Sequence, residues 1–437
     1  MSENLSDRDL EIELPYGKGA LKLYTDIRNV NIVVSKTKNP LENLKERLRE
    51  SLENPIGSPP LRELCERARR ITILIPDKTR AFPSRSILPL VLELIEKTNP
   101  VAQVSILVAT GLHQPHSKNE ILELVGKDVY ENYEVFSHDA EDKDLLIDIG
   151  KRTSYGTPVV FNRKIVEADV VVGLGLIEPH FFAGHSGGRK SILPGVAGKM
   201  AIYVNHGYKM IAHPNSRYGI LKSNPIHEDM VEFMKLSKLD FIVNVTINKE
   251  KKITGIFCGD PLEAHLVGVR FLEEYVKVEV KGLADIVVAT NGGYPLDRNL
   301  YQAVKGMATA ELLVKEGGVI ITVAECRDGL GGHADFYKLF VEARDPDEVL
   351  EKIRRLEPIK DQWEAQILAR ILKRAKVIVV SKVKQDIVED MFMIPATNVD
   401  EALEEASQLI KHRKRDIKLT VVPEGPYVIP KITHLNT

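Results

Sequence analysis

The sequence predicts an α/β protein of two domains, each a parallel-rich sheet flanked by helices, joined by hinge helices and with the active site in the interdomain cleft. Three observations predict it. At 437 residues the chain is too long for one ordinary core. Short β-branched apolar runs recur, each followed by a helical pattern. Those runs are near-continuously apolar rather than alternating, as strands of a parallel sheet covered on both faces are.

In chain order the runs are 71–76, 104–109, 169–174, 241–247, 285–289, 319–323 and 376–381. The first four fall in an N-terminal domain, 1–260, and the last three in a C-terminal α/β domain, 281–400. Between them, Asp260-Pro261 reads as an N-cap with proline at the first helical position. The helix it opens sets Leu262, Leu266, Val269, Leu272 and Tyr275 near one face, and 261–280 is read as a linker. Segment 401–414 is read as a second linker helix. The tail 415–437, with its apolar strand 418–422, is expected to rejoin the N-terminal domain.

Composition narrows the class. A formal net charge of −2 gives no electrostatic footprint for nucleic acid or an anionic membrane. Cys65, Cys258 and Cys326 are isolated, which fits a reducing cytosol better than a disulfide framework. The start, MSENLSDRDLEIEL, is polar and acidic, unlike a signal peptide, and no run of about 18 apolar residues offers a membrane span. A cytoplasmic protein is expected.

Ligands of open parallel sheets bind beyond the carboxyl ends of the strands, and the unusual residues collect there. Asp77-Lys78-Thr79-Arg80 follows the first run, Thr110-Gly111-Leu112-His113 the second, and Leu176-Ile177-Glu178-Pro179-His180 the third; Asn291-Gly292-Gly293-Tyr294 follows the fifth. Eight of the twelve histidines lie from His113 to His227, a bunching that points to a site. The densest segment is 177–195, IEPHFFAGHSGGRKSILPG. Its Gly187 and Gly188 permit close backbone approach to a ligand, and Arg189 and Lys190 set cations beside exposed N–H groups, an anion cradle. A solvated glycine turn is the bland alternative.

His113 and His180 follow different strands and are suited to proton transfer from two sides. His206, in Tyr203-Val204-Asn205-His206, has no histidine at i+4, so a metal there needs ligands from elsewhere. His213 and His227 are read as structural braces. Arg80 and Lys305 are natural carboxylate clamps, and Asp77 is placed to orient Arg80 or a catalytic histidine. Gln302 and Lys305, three apart in NLYQAVKG, share a helix face.

Taken together, DKTR, TGLH, IEPHFFAGHSGGRKSILPG, VNH and NLYQAVKG, in this order and spacing, resemble the nickel-dependent lactate racemase family, from PYGKG (15–19) to PEGPYVIP (423–430). The resemblance implies racemisation or epimerisation of a 2-hydroxy acid by hydride transfer to a nickel pincer nucleotide, through a 2-oxo acid. It implies Lys190 as the covalent tether and His206 as the nickel ligand. His113 and His180 become the acid/base pair, with Asp77, Arg80, Gln302 and Lys305 around the substrate. Phe182 and Trp363 are similar to positions lining the cofactor, beside Gly187, Gly188 and Arg189. Cofactor-maturation enzymes are implied partners, and the oligomeric state stays open.

One departure bears on substrate. Lactate-specific members carry Arg after the first catalytic histidine, in a THRP-like sequence; here Leu112-His113-Gln114-Pro115 stands instead. That widens the expected substrates to a larger or more polar 2-hydroxy acid, such as an aldonate. Two alternatives remain at this point: a zinc hydrolase with His113, His180 and His206 as ligands, and a non-catalytic carboxylate-binding homologue.

Overall fold

The computed structural model describes residues 10–410 and 417–433. Two compact units emerge: a central unit, 37–275, and a terminal unit that joins the described residues up to 36 with those from 276 onward.

The central unit is built on six strands in the order Ile253–Gly259, Phe241–Ile247, Val170–Leu176, Arg70–Pro76, Gln103–Ala109 and Glu134–Ser137. All neighbours run parallel except the first pair. Val170–Leu176 (VVVGLGL) is buried along its whole length, which explains its unbroken apolar pattern. Its glycines serve close packing. A Cβ on Gly173 would stand 3.2 Å from Ser191 Oγ, and one on Gly175 would stand 2.9 Å from Asn244 Nδ2. The helix Ser84–Thr98 turns Ile87, Leu88, Val91, Leu92 and Ile95 into the same core as Ile71, Ile73 and Ile75. Truncating any of these isoleucines or leucines to alanine costs roughly 2–5 kcal/mol.

From Arg70–Pro76 the chain first adds strands on one side and then jumps to Val170–Leu176 on the other. The crevice between those two strand ends is the topological switch point, where open parallel sheets bind ligands.

The terminal unit holds a second six-stranded sheet, all parallel, in the order Ile394–Ala396, Lys376–Val380, Val314–Val323, Ala284–Thr290, Lys418–Val422 and Asn29–Ile32. The hairpin Leu10–Tyr16 with Gly19–Thr25 adds Ile12, Leu14 and Leu23 to its core.

The α/β class and the parallel sheets match expectation, but the boundaries do not. Residues 10–36 belong to the terminal unit, because their apolar side chains are buried there. The tail strand does not rejoin the first domain. Lys418–Val422 is almost wholly buried and so needs an interior place, which it takes between Ala284–Thr290 and Asn29–Ile32. Nor is 261–280 one linker. Helix Glu263–Val276 lies in the central unit up to Tyr275, whereas Lys277–Lys281 pairs with Ile429–Thr433. Within 401–414, helix Val399–Leu409 buries Ala402 and Ala406 in the terminal core, and residues 411–414 lie outside the described residues. Among the described residues no helix is long and apolar enough to cross a membrane.

Candidate active site

Three adjacent strands of the central sheet, Val170–Leu176, Arg70–Pro76 and Gln103–Ala109, end beside one another and deliver Glu178 and His180, Asp77 and Arg80, and His113 to one edge. The loop carrying His113 is fixed by bonds from Gly111 N to Gly195 O (2.9 Å) and from His113 N to Thr110 O (3.0 Å). Gly111 has φ +56°, which glycine takes without strain.

Asp77 is 3% exposed and lies 2.5 Å from His113 Nδ1. It also accepts from Thr79 N at 3.1 Å and Thr79 Oγ1 at 2.6 Å. Burial pushes its carboxyl upward. The hydrogen bond and charge of His113, then Arg80 and Thr79, outweigh burial and hold it at about 2. Asp77 is therefore ionised and accepts from His113 Nδ1–H, which fixes the ring and leaves Nε2 as the nitrogen that can exchange a proton with a substrate. Of the two roles read for Asp77, this geometry supports orientation of the histidine.

His180 is held differently: its Nδ1 accepts from Ala183 N at 3.3 Å. His113 and His180 thus follow neighbouring parts of the same sheet edge. The tight pairing of Pro179–His180 with Gly184–His185 holds the second in place.

Phe182 is the hub of the remaining groups. Its ring centroid lies 4.5 Å from that of His180, 5.0 Å from that of His206 and 5.9 Å from Lys190 Nζ. Lys190 sits in the 3₁₀ turn Gly188–Ser191, which Asn244 Oδ1 anchors by accepting from Gly188 N at 2.8 Å. His206 follows helix Lys199–Asn205 and is buried. Burial, then the charge of Lys190, push its imidazole well below the ordinary histidine range. A neutral imidazole is the form that donates to a metal. Asn205 before it is tied to the buried Asp229 at 2.7 Å, and Asp229 also accepts from Thr153 and Thr157.

Arg189 and the paired glycines depart from the anion cradle read in the sequence. Arg189 is 1% exposed, and its guanidinium donates to Ala183 O (2.8 Å) and Gly187 O (3.3 Å) and lies 3.2 Å from His265 Nε2. It braces the turn that bears Lys190 from beneath. A Cβ on Gly188 would meet the His265 ring at 2.8 Å, and one on Gly187 would meet Asn244 Oδ1 at 2.6 Å. The glycines make room for the protein itself. The sequence missed this because cations beside glycine N–H groups read as an anion cradle, whereas the carbonyls of Ala183 and Gly187 and the ring of His265 bury Arg189 through tertiary packing.

Buried neutral histidines give the central unit an acid limit. Burial, with the charges of Arg189 and His185, pushes His227 down to about 3 from 6.5, and burial holds His138 near 4. Between those values and 6.5 the unfolded chain binds protons that the fold refuses, so stability falls as pH drops, by up to about 1.4 kcal/mol per pH unit per group. His227→Gln is expected to flatten the dependence of the urea midpoint on pH between 6.5 and 4. An unaltered slope would refute the assignment.

In the terminal unit, Gln302 and Lys305 do share a face of helix Leu300–Glu311, with Lys305 Nζ donating to Gln302 Oε1 at 2.7 Å. Trp363 is 8% exposed and donates from Nε1 to the Tyr301 hydroxyl at 3.1 Å. The sequence reading missed their neighbours. Glu364 is buried and raised, chiefly by burial, against the opposing charge of Lys305. His333 stacks on Tyr301 at 3.7 Å and bonds Asp361 at 2.7 Å.

The zinc reading fails on geometry: among the described residues no group of three or more His, Cys, Asp or Glu is disposed to hold a metal.

Comparison with known proteins agrees along the chain. The lactate racemase N-terminal domain matches residues 16–219 and the lactate racemase C-terminal domain matches 279–430. Lactate racemase of Thermoanaerobacterium thermosaccharolyticum is 46% identical over 425 residues, covering 96% of this chain and 98% of that protein. Its counterpart from Lactiplantibacillus plantarum is 43% identical over 427 residues, covering 96% and 99%. The solved apoprotein from T. thermosaccharolyticum superposes with a TM-score of 0.90 at 43% identity, over 97% of this chain and all of that one. A Thermotoga maritima protein shares the fold alone, with a TM-score of 0.67 at 16% identity.

Proposed function

The chain belongs to the lactate racemase family, and on that premise we propose that it racemises lactate with a nickel pincer nucleotide carried on Lys190. The observation that carries the reading is the gathering of Lys190, His206 and His180 around the Phe182 ring, at the sheet edge that also holds the His113–Asp77 pair. Lactate is the first substrate to test, because both full-length relatives above bear that name. Gln114 is exposed, so the departure from a THRP-like sequence leaves larger 2-hydroxy acids open as further substrates.

Lys190 would tether the cofactor and His206 would complete the nickel coordination. When bound, the electron-poor pyridinium supplies a hydride acceptor, which side chains cannot provide. Everything else falls to the chain. Arg80 holds the substrate carboxylate through its planar fork, and Gln302 and Lys305 are read as substrate-binding residues from the family pattern alone. His113 Nε2 takes the hydroxyl proton of one enantiomer, and Asp77 stabilises the imidazolium that forms. His180, as imidazolium, returns a proton to the oxygen when the opposite enantiomer is made and is left as neutral imidazole. The reverse direction exchanges their roles.

His206→Ala separates metal from tether. Produced with the maturation enzymes, the variant is expected to keep the added mass on Lys190 and to lose nickel, as read by intact-mass spectrometry and metal analysis. Full nickel content in that variant would remove His206 from the coordination sphere. A cytoplasmic location belongs to the same reading, and the three free, buried cysteines suit a reducing compartment.

A further inference from the structure

We propose that Glu178 is a charge filter: it confines the enzyme to 2-hydroxy acids with a single carboxylate and turns away 2-hydroxy dicarboxylates. The inference rests on the reading of Arg80 as the substrate's carboxylate clamp.

Glu178 and Arg80 follow the two strands that flank the switch point of the central sheet, and their charged ends are 3.7 Å apart (Glu178 Oε1 to Arg80 Nη1). That is ion-pair range but beyond hydrogen-bond range, so Glu178 sets the charge of the crevice without saturating the guanidinium donors. Both side chains are half-buried, which weakens screening by solvent. The main chain of Glu178 is pinned by Ser186: Glu178 N donates to Ser186 Oγ (2.9 Å) and Glu178 O accepts from Ser186 N (2.9 Å). Ser186 Oγ in turn donates to Leu176 O at 2.7 Å. The backbone that carries this carboxylate therefore cannot swing away.

Asp77, ionised, also faces Arg80 electrostatically. The guanidinium thus lies in the field of two carboxylates before any substrate arrives. A monocarboxylate adds the single negative charge that the clamp is built to take. In a substrate such as malate the two carboxylates are only two carbons apart, so seating one on Arg80 brings the other into the field of Glu178. Like charges juxtaposed at a site are a means of rejecting the wrong ligand. Neutral hydroxyls meet no such repulsion, so lactate and polyhydroxy monocarboxylates pass the same filter.

The test uses the cofactor-loaded enzyme and compares kcat/KM for lactate, malate and the 4-amide of malate, which has the size of malate without its second charge. Wild type is expected to favour the amide over malate. Glu178→Gln, which keeps shape and removes charge, is expected to raise malate relative to lactate by roughly tenfold or more. Glu178→Asp, which restores the charge, should restore the discrimination. Failure of wild type to racemise lactate at all would strike the functional reading rather than the filter. Active wild type with an unchanged malate-to-lactate ratio in Glu178→Gln would overturn the filter, as would a proportional fall for all three substrates, which would make Glu178 a positioning residue for Arg80.

Discussion

Lys190→Ala, co-produced with the cofactor-maturation enzymes, is expected to fold normally, carry no covalent adduct and show no racemisation above background. The expectation follows from where the side chain sits. Lys190 is only half-buried, and its main chain is held by bonds that alanine keeps, Lys190 N to Gly187 O and Gly195 N to Lys190 O. The turn beneath is braced by Arg189 and Asn244, neither of which the substitution touches. Stability should thus stay close to wild type while the amine proposed for tethering is gone. Lys190→Arg sharpens the contrast, because it keeps the positive charge beside Phe182 but offers no amine nucleophile. Adduct mass in either variant would move the tether elsewhere.

The second large effect concerns His113. His113→Ala should lower racemisation by roughly 10²–10⁴-fold, the usual contribution of a positioned proton carrier. Asp77→Asn should lower kcat too while leaving the ring in place, since it removes the carboxylate that fixes Nδ1–H. It also carries a stability signature. Asp77 is held at about 2 in the fold against 3.8 for an ordinary aspartate, so its contribution is present above about pH 4 and is lost as pH falls through 2. The two values differ by enough to make Asp77→Asn less stable than wild type by about 2 kcal/mol at pH 7, a gap that should narrow toward pH 3. Equal melting temperatures at both pH values would dissociate Asp77 from its partners. Wild-type kinetics in His113→Ala would dissolve the acid/base pair.

Much of the site is legible in the sequence because parallel sheets concentrate function at strand ends. The runs 71–76, 104–109 and 169–174 announce themselves by unbroken apolar residues, and the segments following them are the ones that meet in space. Helical spacing alone placed Gln302 beside Lys305. What escaped was non-local. The partners of strand Lys418–Val422 depend on which edge remains open once the other strands have assembled, and no residue within the strand records that. Arg189 reads as a surface cation until the carbonyls of Ala183 and Gly187 and the ring of His265 close around it. Glu364 looks like any helical glutamate; its burial against Lys305 is a property of packing. Glu178 lay inside the most distinctive motif without a role until its distance to Arg80 supplied one.

The hydride route is tested most directly by following C2-deuterated L-lactate with the nickel-loaded enzyme in ordinary water. Transfer of the C2 hydrogen away from carbon and back, with His113 and His180 handling only the hydroxyl proton, predicts D-lactate that retains its deuterium at C2. Racemisation with loss of deuterium to solvent would show the histidines acting at carbon instead. Substrate left enantiomerically pure by fully loaded enzyme would contradict the function itself.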